Sequence, residues 1–412
     1  MMGLTLTERR AVTEMTAIRY LVADRPAKSR ILDELCANTG WHRNHARKAL
    51  RAALQPQVAA PRRSPRPPIY GQNVIAALTV CWLVLGMPAG KRLAPMLTEL
   101  VAVLRQFGEL VIDDDTAALL VSMSAATIDR RLAGERANRQ LKGRRATKPG
   151  SLLRSQIPVR TWADWDDAKP GFVEIDLVSH DGGNTIGPFA FTLTVTDIAT
   201  GWTENRSVPT KEAKCVLAAL EKITNKMPFP ILGVDSDNGA EFINVYLFLW
   251  CRNREITFTR ARPTNKNDGC HVEQKNWAVV RTLVGYHRYD TAPEMLLLNE
   301  IWQLQSQLTN YFYPQQKLVF KVRDGAKVTK KYDTATTPLR RAIDHPTMTE
   351  DRIASMARTH ALINPAATQR QIQALTAQLL KMTTSKSQPA SRARIPKRAQ
   401  SHEATNPPSR AS

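Results

Sequence analysis

The sequence predicts a multidomain protein: α-helical at its amino end, mixed α/β in the middle, and small-β plus helical towards its carboxy end. Three observations predict it. Apolar residues recur with helical spacing in the first third, and after Gly171 they switch to strand-like alternation. A Pro and Arg stretch over 56–68 cannot sustain a helix, because proline lacks the amide donor and clashes with the preceding turn. At 412 residues the chain also exceeds what one ordinary core organises.

Residues 28–54 have the rhythm of a helix-turn-helix. Ile31, Leu32 and Leu35 share one face, Asn38-Thr39-Gly40 breaks the helix, and Ala46, Ala49, Leu50 and Ala53 resume it. In that motif the second helix enters the major groove, so Arg43, Asn44, Arg47, Lys48 and Arg51 are the expected DNA contacts of a domain over 1–55. His42 and His45 have no Cys pair at zinc spacing and read as surface or DNA-facing residues. After the 56–68 linker a second helical domain, 69–136, ends in another helix-turn-helix candidate. There Ser124 would cap a helix carrying Thr127, Arg130 and Arg131. A basic linker over 137–160, with Arg144 and Arg145, is expected to contact the phosphate backbone.

From Gly171 the order is three strands (172–178, 189–196, 202–208), a helix (211–224), a short strand (231–234), a helix (241–254), a strand (256–259), a polar loop (260–269) and a further helix. The loop His180-Asp181-Gly182-Gly183-Asn184 is turn chemistry. A long helix over 293–313 closes this domain, which spans 161–313, with Leu296, Ile301, Leu304, Leu308 and Tyr311 inward. Strands 318–322 and 327–332 would pair around Asp324-Gly325 in a small basic module, 314–345, exposing Lys321, Arg323, Lys327, Lys330 and Lys331. Helices over 346–383 carry an Ile372, Leu375 and Leu379 stripe, expected to be a docking surface for an accessory protein. Residues 384–412 read as a disordered basic tail.

Composition narrows the function. The formal net charge of +21, from 58 Lys and Arg against 37 Asp and Glu, favours nucleic acid or an anionic membrane as partner. The most apolar stretch, 74–87, is shorter than the ~20 residues of a spanning helix. The amino end lacks an export signal, so a cytoplasmic, nucleoid-associated bacterial protein is expected. Cys36, Cys81, Cys215, Cys251 and Cys270 are odd in number and nowhere form Cys-x-x-Cys, so they suggest neither a disulfide framework nor a zinc module. There is no phosphate-cradling Gly-x-x-x-x-Gly-Lys segment and no Ser-His-Asp arrangement, which disfavours an ATPase or a covalent recombinase.

Against this basic background stand three acids: Asp176 in Glu174-Ile175-Asp176-Leu177, Asp237 in Ser236-Asp237-Asn238-Gly239, and Glu273 in Asp268-Gly269-Cys270-His271-Val272-Glu273. Mg²⁺ takes oxygen ligands, usually one or two carboxylates plus substrate phosphate, so scattered acids that fold together in a polyanion-binding protein suggest phosphodiester chemistry. The element order places Asp176 mid-sheet, Asp237 at a strand mouth and Glu273 on a helix held by Trp277, Val280 and Leu283, so the three converge. A turn at Asn238-Gly239 is expected to use glycine's tolerance of positive φ. Asp235 and Glu241 read as support, Asp181 and Asp268 as loop acids, and Glu174, on the face of Asp176, as an assistant.

On these motifs, and with 35 residues between Asp237 and Glu273, the segment 159–343 resembles the DDE transposases and retroviral-type integrases. The resemblance implies a ribonuclease-H-like catalytic core, catalytic and metal-ligating roles for Asp176, Asp237 and Glu273, and two Mg²⁺ (or Mn²⁺) per site. It also implies 3′-end cleavage and strand transfer, homo-oligomers (dimer or tetramer) on paired DNA ends, and a DNA contact at Lys275. Helix-turn-helix units stand where retroviral integrases carry a zinc-binding amino domain. The alternatives are a ribonuclease-H-like nuclease without joining activity, and a DNA-binding regulator without chemistry.

Overall fold

The computed structural model describes residues 4–55, 69–137, 169–261 and 270–386. Arg144, Arg145 and Asp268, the 56–68 linker and the basic tail lie outside the described residues. The chain divides into two compact units, Met1–Ile69 and Tyr70–Ser412.

The first unit holds three helices: α1 (Leu6–Val22), α2 (Arg25–Thr39) and α3 (Arg43–Ala53). The sequence reading left 6–22 unassigned. Thr5 and Glu8 form a capping box at the start of α1, satisfying orphan amide donors. Asp24 caps α2, and Gly40, in the left-handed conformation, ends it. Ala17, Leu32, Leu35, Ala46 and Leu50 make the small core.

The second unit begins with helices α4 (Gln72–Val84), α5 (Gly90–Leu93), α6 (Leu97–Gln106), α7 (Asp114–Val121), α8 (Ala125–Arg131) and α9 (Ala133–Ala137). Ser124 caps α8 by accepting from the Thr127 amide. Their core, around Leu78, Trp82, Leu97, Leu104, Leu120 and Ile128, is continuous with Leu308, Phe312, Ile363 and Ile372 from far along the chain. The helices expected as a domain of their own over 69–136 therefore share one core with the carboxy-terminal half.

A five-stranded sheet forms the centre, built from β1 (Phe172–Ser179), β2 (Phe191–Asp197), β3 (Thr203–Val208), β4 (Gly233–Ser236) and β5 (Thr257–Arg260) in the order β3-β2-β1-β4-β5. The first three strands are an antiparallel meander, while β4 and β5 run parallel to β1. Parallel neighbours need crossovers, supplied by α10 (Ala213–Thr224) and α11 (Val245–Asn253). This mixed α/β arrangement is compatible with a ribonuclease-H-like core. Val173, Ile175, Leu193, Val195 and Val234 meet Val216, Leu220 and Ile223 of α10 in its main core.

Beyond the sheet come α12 (Cys270–Lys275), a wide π-helical turn (Asn276–Arg281), α13 (Thr282–Val284) and α14 (Ala292–Tyr311). Leu298, Ile301, Trp302 and Leu308 of α14 are buried, whereas Leu296, expected inside, faces solvent. A hairpin of β6 (Leu318–Asp324) and β7 (Lys327–Tyr332) turns at Gly325, whose φ of 56° suits glycine. Lys327, Lys330 and Lys331 are exposed on it. Then follow α15 (Pro338–Ile343), α16 (Glu350–Leu362) and α17 (Pro365–Thr384). The apolar stripe of α17 is not a free docking surface. Ile372 and Leu379 are fully buried against the chain's own helices, chiefly α14, because that contact completes two cores at once. Among the described residues, no helix is long and apolar enough to cross a membrane.

Candidate active site

Strand register brings the acids together. Glu174 lies beside Asp235, and Ile175 beside Ser236, across the parallel β1/β4 pair. One further step sets Asp176 alongside Asp237, just past the end of β4. Alternation along strands puts Glu174, Asp176, Asp235 and Asp237 on one face. The inner two, Glu174 and Asp235, are buried, while Asp176 is half-buried and Asp237 exposed.

Helix α12 lies over β1 and β2 on this face. Its first turn is tied down by Glu174, whose Oε2 accepts from the amides of His271 (2.9 Å) and Val272 (3.0 Å). These are orphan donors of a helix start, and an anion there also complements the helix dipole. One turn on, Asn276 Nδ2 donates to Asp176 Oδ2 at 2.6 Å, and the Leu177 amide donates to Asp176 Oδ1 at 2.8 Å. Glu273 sits between these two anchors with its side chain in solvent. Asp237 Oδ1 accepts from the Gly239 amide at 2.9 Å, and Asn238 ties the turn to the end of β5 through the Ala261 carbonyl (3.0 Å) and Arg260 (3.1 Å).

Burial pushes the Asp176 carboxyl up to about 7; the negative charges of Asp237 and Glu273 add to this, and the Leu177 amide and Asn276 oppose it. Burial also raises Asp237, reinforced by Glu241 and opposed by the Gly239 amide and Lys211. Because the Asp237 side chain keeps an open face to water, solvent screens part of that rise. Asp176 thus feels the charge of both Asp237 and Glu273. Among the described residues, however, no three His, Cys, Asp or Glu side chains are gathered closely enough to hold a metal ion. Two features fit a hydrated divalent ion: the negative potential at Asp176, and Asn276 Oδ1, a buried acceptor beside that carboxylate with no donor among the described residues. Such an acceptor is what a metal-bound water would satisfy.

Several expectations change. Gly239 has no left-handed backbone; a Cβ there would meet the Glu241 and Asp237 carboxylates at 2.7 and 2.9 Å, so those side-chain ends would have to shift. Trp277, expected to hold the Glu273 helix, is 62% exposed, whereas Val280 is fully buried. Trp277 lies one turn on from Glu273 and shares its solvent-facing side. Asp235 is a support, accepting from Thr259 Oγ1 at 2.5 Å. Asp181 holds its own loop through the Gly183 amide and Ser179.

Of the expected DNA contacts, Asn44, Arg47, Lys48 and Arg51 are exposed on α3. Arg43 is paired with Asp33 and bonded to Ser29 at the surface, and serves as a strut between α2 and α3. Arg130 and Arg131 are exposed on α8, with Thr127 accepting from Arg130 at 3.2 Å. Lys275 is half-buried; burial and then the charges of Arg92 and Arg341 push its ammonium down to about 7. Sequence reasoning undervalued Glu174 and Asn276. The signal for Glu174 was its two-residue spacing from Asp176, and Asn276 falls one turn beyond Glu273.

The comparisons with known proteins follow this geometry. No protein-family model matches the chain. A relative, "Uncharacterized protein y4rM" of Sinorhizobium fredii (strain NBRC 101917 / NGR234), is 39% identical over 338 residues, covering 82% of this chain and 96% of the relative. The chain belongs to the y4rM family. The match is longer than the sheet-bearing segment, so the y4rM design includes helices around the sheet. Among solved structures, the catalytic core domain of BIV integrase is 20% identical at a TM-score of 0.22, over 26% of this chain and 64% of its own. The HTLV-2 integrase catalytic core domain in complex with magnesium (dimeric form) is 14% identical at 0.27, over 35% and 90%.

Proposed function

We propose that this protein is a DNA transposase that binds the terminal inverted repeats of a mobile element, cleaves its 3′ ends and transfers them into target DNA. One observation carries the reading: the parallel register of β1 and β4 runs to Ile175 and Ser236, the residues just before Asp176 and Asp237, and the charges of Asp237 and of Glu273 on α12 are felt at Asp176. Asp176, Asp237 and Glu273 would hold two Mg²⁺ or Mn²⁺ ions. Bound there, the metals supply Lewis-acid polarisation and a nucleophile at neutral pH. The chain's own residues do the rest. Glu174 fixes α12, Asn276 orients the Asp176 carboxylate, and Gly239 allows Asp237 and Glu241 to approach. Exposed cations on α3 and α8 supply the DNA contacts, with Asn44, Arg47 and Arg51 suited to base edges and Lys48 to phosphate. The reading also places the protein as a dimer or tetramer on paired ends.

The exposed cations of α3 favour a second reading, a DNA-binding regulator without chemistry. One experiment separates these. Full-length protein is incubated with Mg²⁺ or Mn²⁺ and duplexes carrying the ends of the element that encodes it, and nicked and joined strands are resolved on denaturing gels. The proposal expects both products, with Asp237→Asn losing them on the order of 10³-fold at unchanged DNA affinity. Nicking without joining would make the protein a nuclease. No metal-dependent product from the wild type, or full activity in Asp237→Asn, would overturn the assignment.

A further inference from the structure

The outer face of α1 is apolar and, among the described residues of the first unit, uncovered. Thr13 and Ala17 point into the core of the first unit, with Val12 and Tyr20 packed beside them. On the opposite side Met15, Ile18 and Val22 are 76%, 68% and 83% exposed, and Ala11 continues the row. Their spacing of four, three and four residues is a seam of the kind along which two helices wind together. A solvated helix face would carry polar residues at these positions.

The flanks point to the occupant. With Ala11, Met15, Ile18 and Val22 as the seam, Glu14 and Arg19 border it on opposite sides, five residues apart. In a parallel, in-register pair of identical helices, that spacing sets Glu14 of one copy against Arg19 of the other, twice. An antiparallel pair would instead set Glu14 against Glu14 and Arg19 against Arg19. In the single chain these residues make only open ion pairs, Glu14 with Arg10 at 3.0 Å and Arg19 with Glu34 at 3.4 Å, which exchange at little cost. Glu8, next along the seam, is turned back onto Thr5 in the capping box and leaves it free. In a chain of net charge +21 this face is close to neutral, whereas α3 shows Arg47, Lys48 and Arg51 with no acid. Two copies can meet along α1 without bringing those cations together.

We infer that α1 is a homodimerisation helix, pairing in parallel with α1 of a second copy through Ala11, Met15, Ile18 and Val22 and presenting two α3 helices about a twofold axis. Paired helix-turn-helix units read half-sites related by the same symmetry. The inference stands apart from the catalytic reading, since neither needs the other.

Single cysteines test it in the full chain. In a parallel, in-register pair, Ala11→Cys and Ile18→Cys each face their own copy, so each is expected to form a disulfide-linked dimer under mild oxidation. The wild type, with its five native cysteines, sets the background. Adding Met15→Glu to either variant should abolish the link. Met15→Glu alone should weaken dimerisation, measured by light scattering, at least about 10-fold. Met15 is exposed, so an unchanged circular dichroism spectrum is expected and excludes misfolding as the cause. Cross-linking from only one of the two positions would overturn the parallel geometry. A wild type that stays monomeric at tens of micromolar without cross-links, or a dimer indifferent to Met15→Glu, would overturn the interface.

Discussion

Two sets of acids share the central sheet and are treated in opposite ways. Asp197 at the end of β2 is fully buried and saturated: its carboxylate accepts from the Gly171 amide (2.7 Å), the Thr200 amide (2.7 Å) and Thr200 Oγ1 (2.6 Å). Glu204 on β3 accepts from Trp202 Nε1 (3.0 Å), Ser306 (2.7 Å) and Asn310 (3.2 Å). Asp176 has two donors and two negative neighbours. Burial raises all three carboxyls. The difference lies in what opposes the rise: fixed donors on one side of the sheet, and at Asp176 a site left short of positive charge. Saturated acids hold the fold together, and an under-satisfied pair at a strand mouth is a place for a cation.

The largest stability effect is expected where saturation is removed. Asp197→Ala strands three donors in a closed site and should cost about 3 kcal/mol or more in urea unfolding, at about 1 kcal/mol or more per orphaned group. Asp176→Asn should leave the metal-free protein as stable as the wild type or more so, because it removes a charge that repels Asp237 and Glu273. If both substitutions destabilise equally, the contrast between the two sets fails. Glu174→Ala falls between them: losing the acceptor for two α12 amides should cost about 2 kcal/mol and also reduce cleavage, since α12 carries Glu273.

Much of this was legible in the sequence. Asp176 and Asp237 could be placed because strand alternation and the strand-end turn are short-range patterns, and Glu273 followed from the helix after the last strand. The roles of Glu174 and Arg43 were not legible, because each depends on which long-range partner arrives. Glu174 meets amides of a helix nearly a hundred residues on, and Arg43 meets Asp33 of a neighbouring helix. Trp277 was misplaced because its apolar ring suggested burial, although it lies one turn from Glu273 on the solvent-facing side. The burial of Ile372 and Leu379 was hidden for the same reason as Glu174: a stripe shows that a helix docks, and only the fold shows on what.

Smaller effects sharpen the comparison. Asn276→Ala removes a donor to Asp176 without opening a core, so metal affinity should fall on the order of 10-fold while urea stability stays within about 0.5 kcal/mol. A large loss of stability with unchanged affinity would make Asn276 structural. Smallest is Glu109, held by Arg370 (2.7 and 2.8 Å) and Asn364 (2.8 Å). Hydrogen bonds from Arg370 and then Asn364 bring its carboxyl down to about 2 from an ordinary 4.5. A depressed acid stabilises the fold above its unfolded value and loses that contribution as pH falls through the folded one. Arg370 is open to water, so Glu109→Gln should cost only about 1 kcal/mol at pH 7. The gap to wild type should close between pH 4.5 and 2; a gap independent of pH would show that the charge is irrelevant there.

The central claim is that Asp176, Asp237 and Glu273 together hold divalent metal, and calorimetric titration of Mn²⁺ into the full-length protein tests it most directly. The expected result is saturable binding by the wild type, lost in Asp176→Asn and Asp237→Asn and retained in a variant of a saturated acid, Glu204→Gln. Wild-type protein that takes up no Mn²⁺, or Asp176→Asn and Asp237→Asn proteins that bind it as the wild type does, would contradict the account.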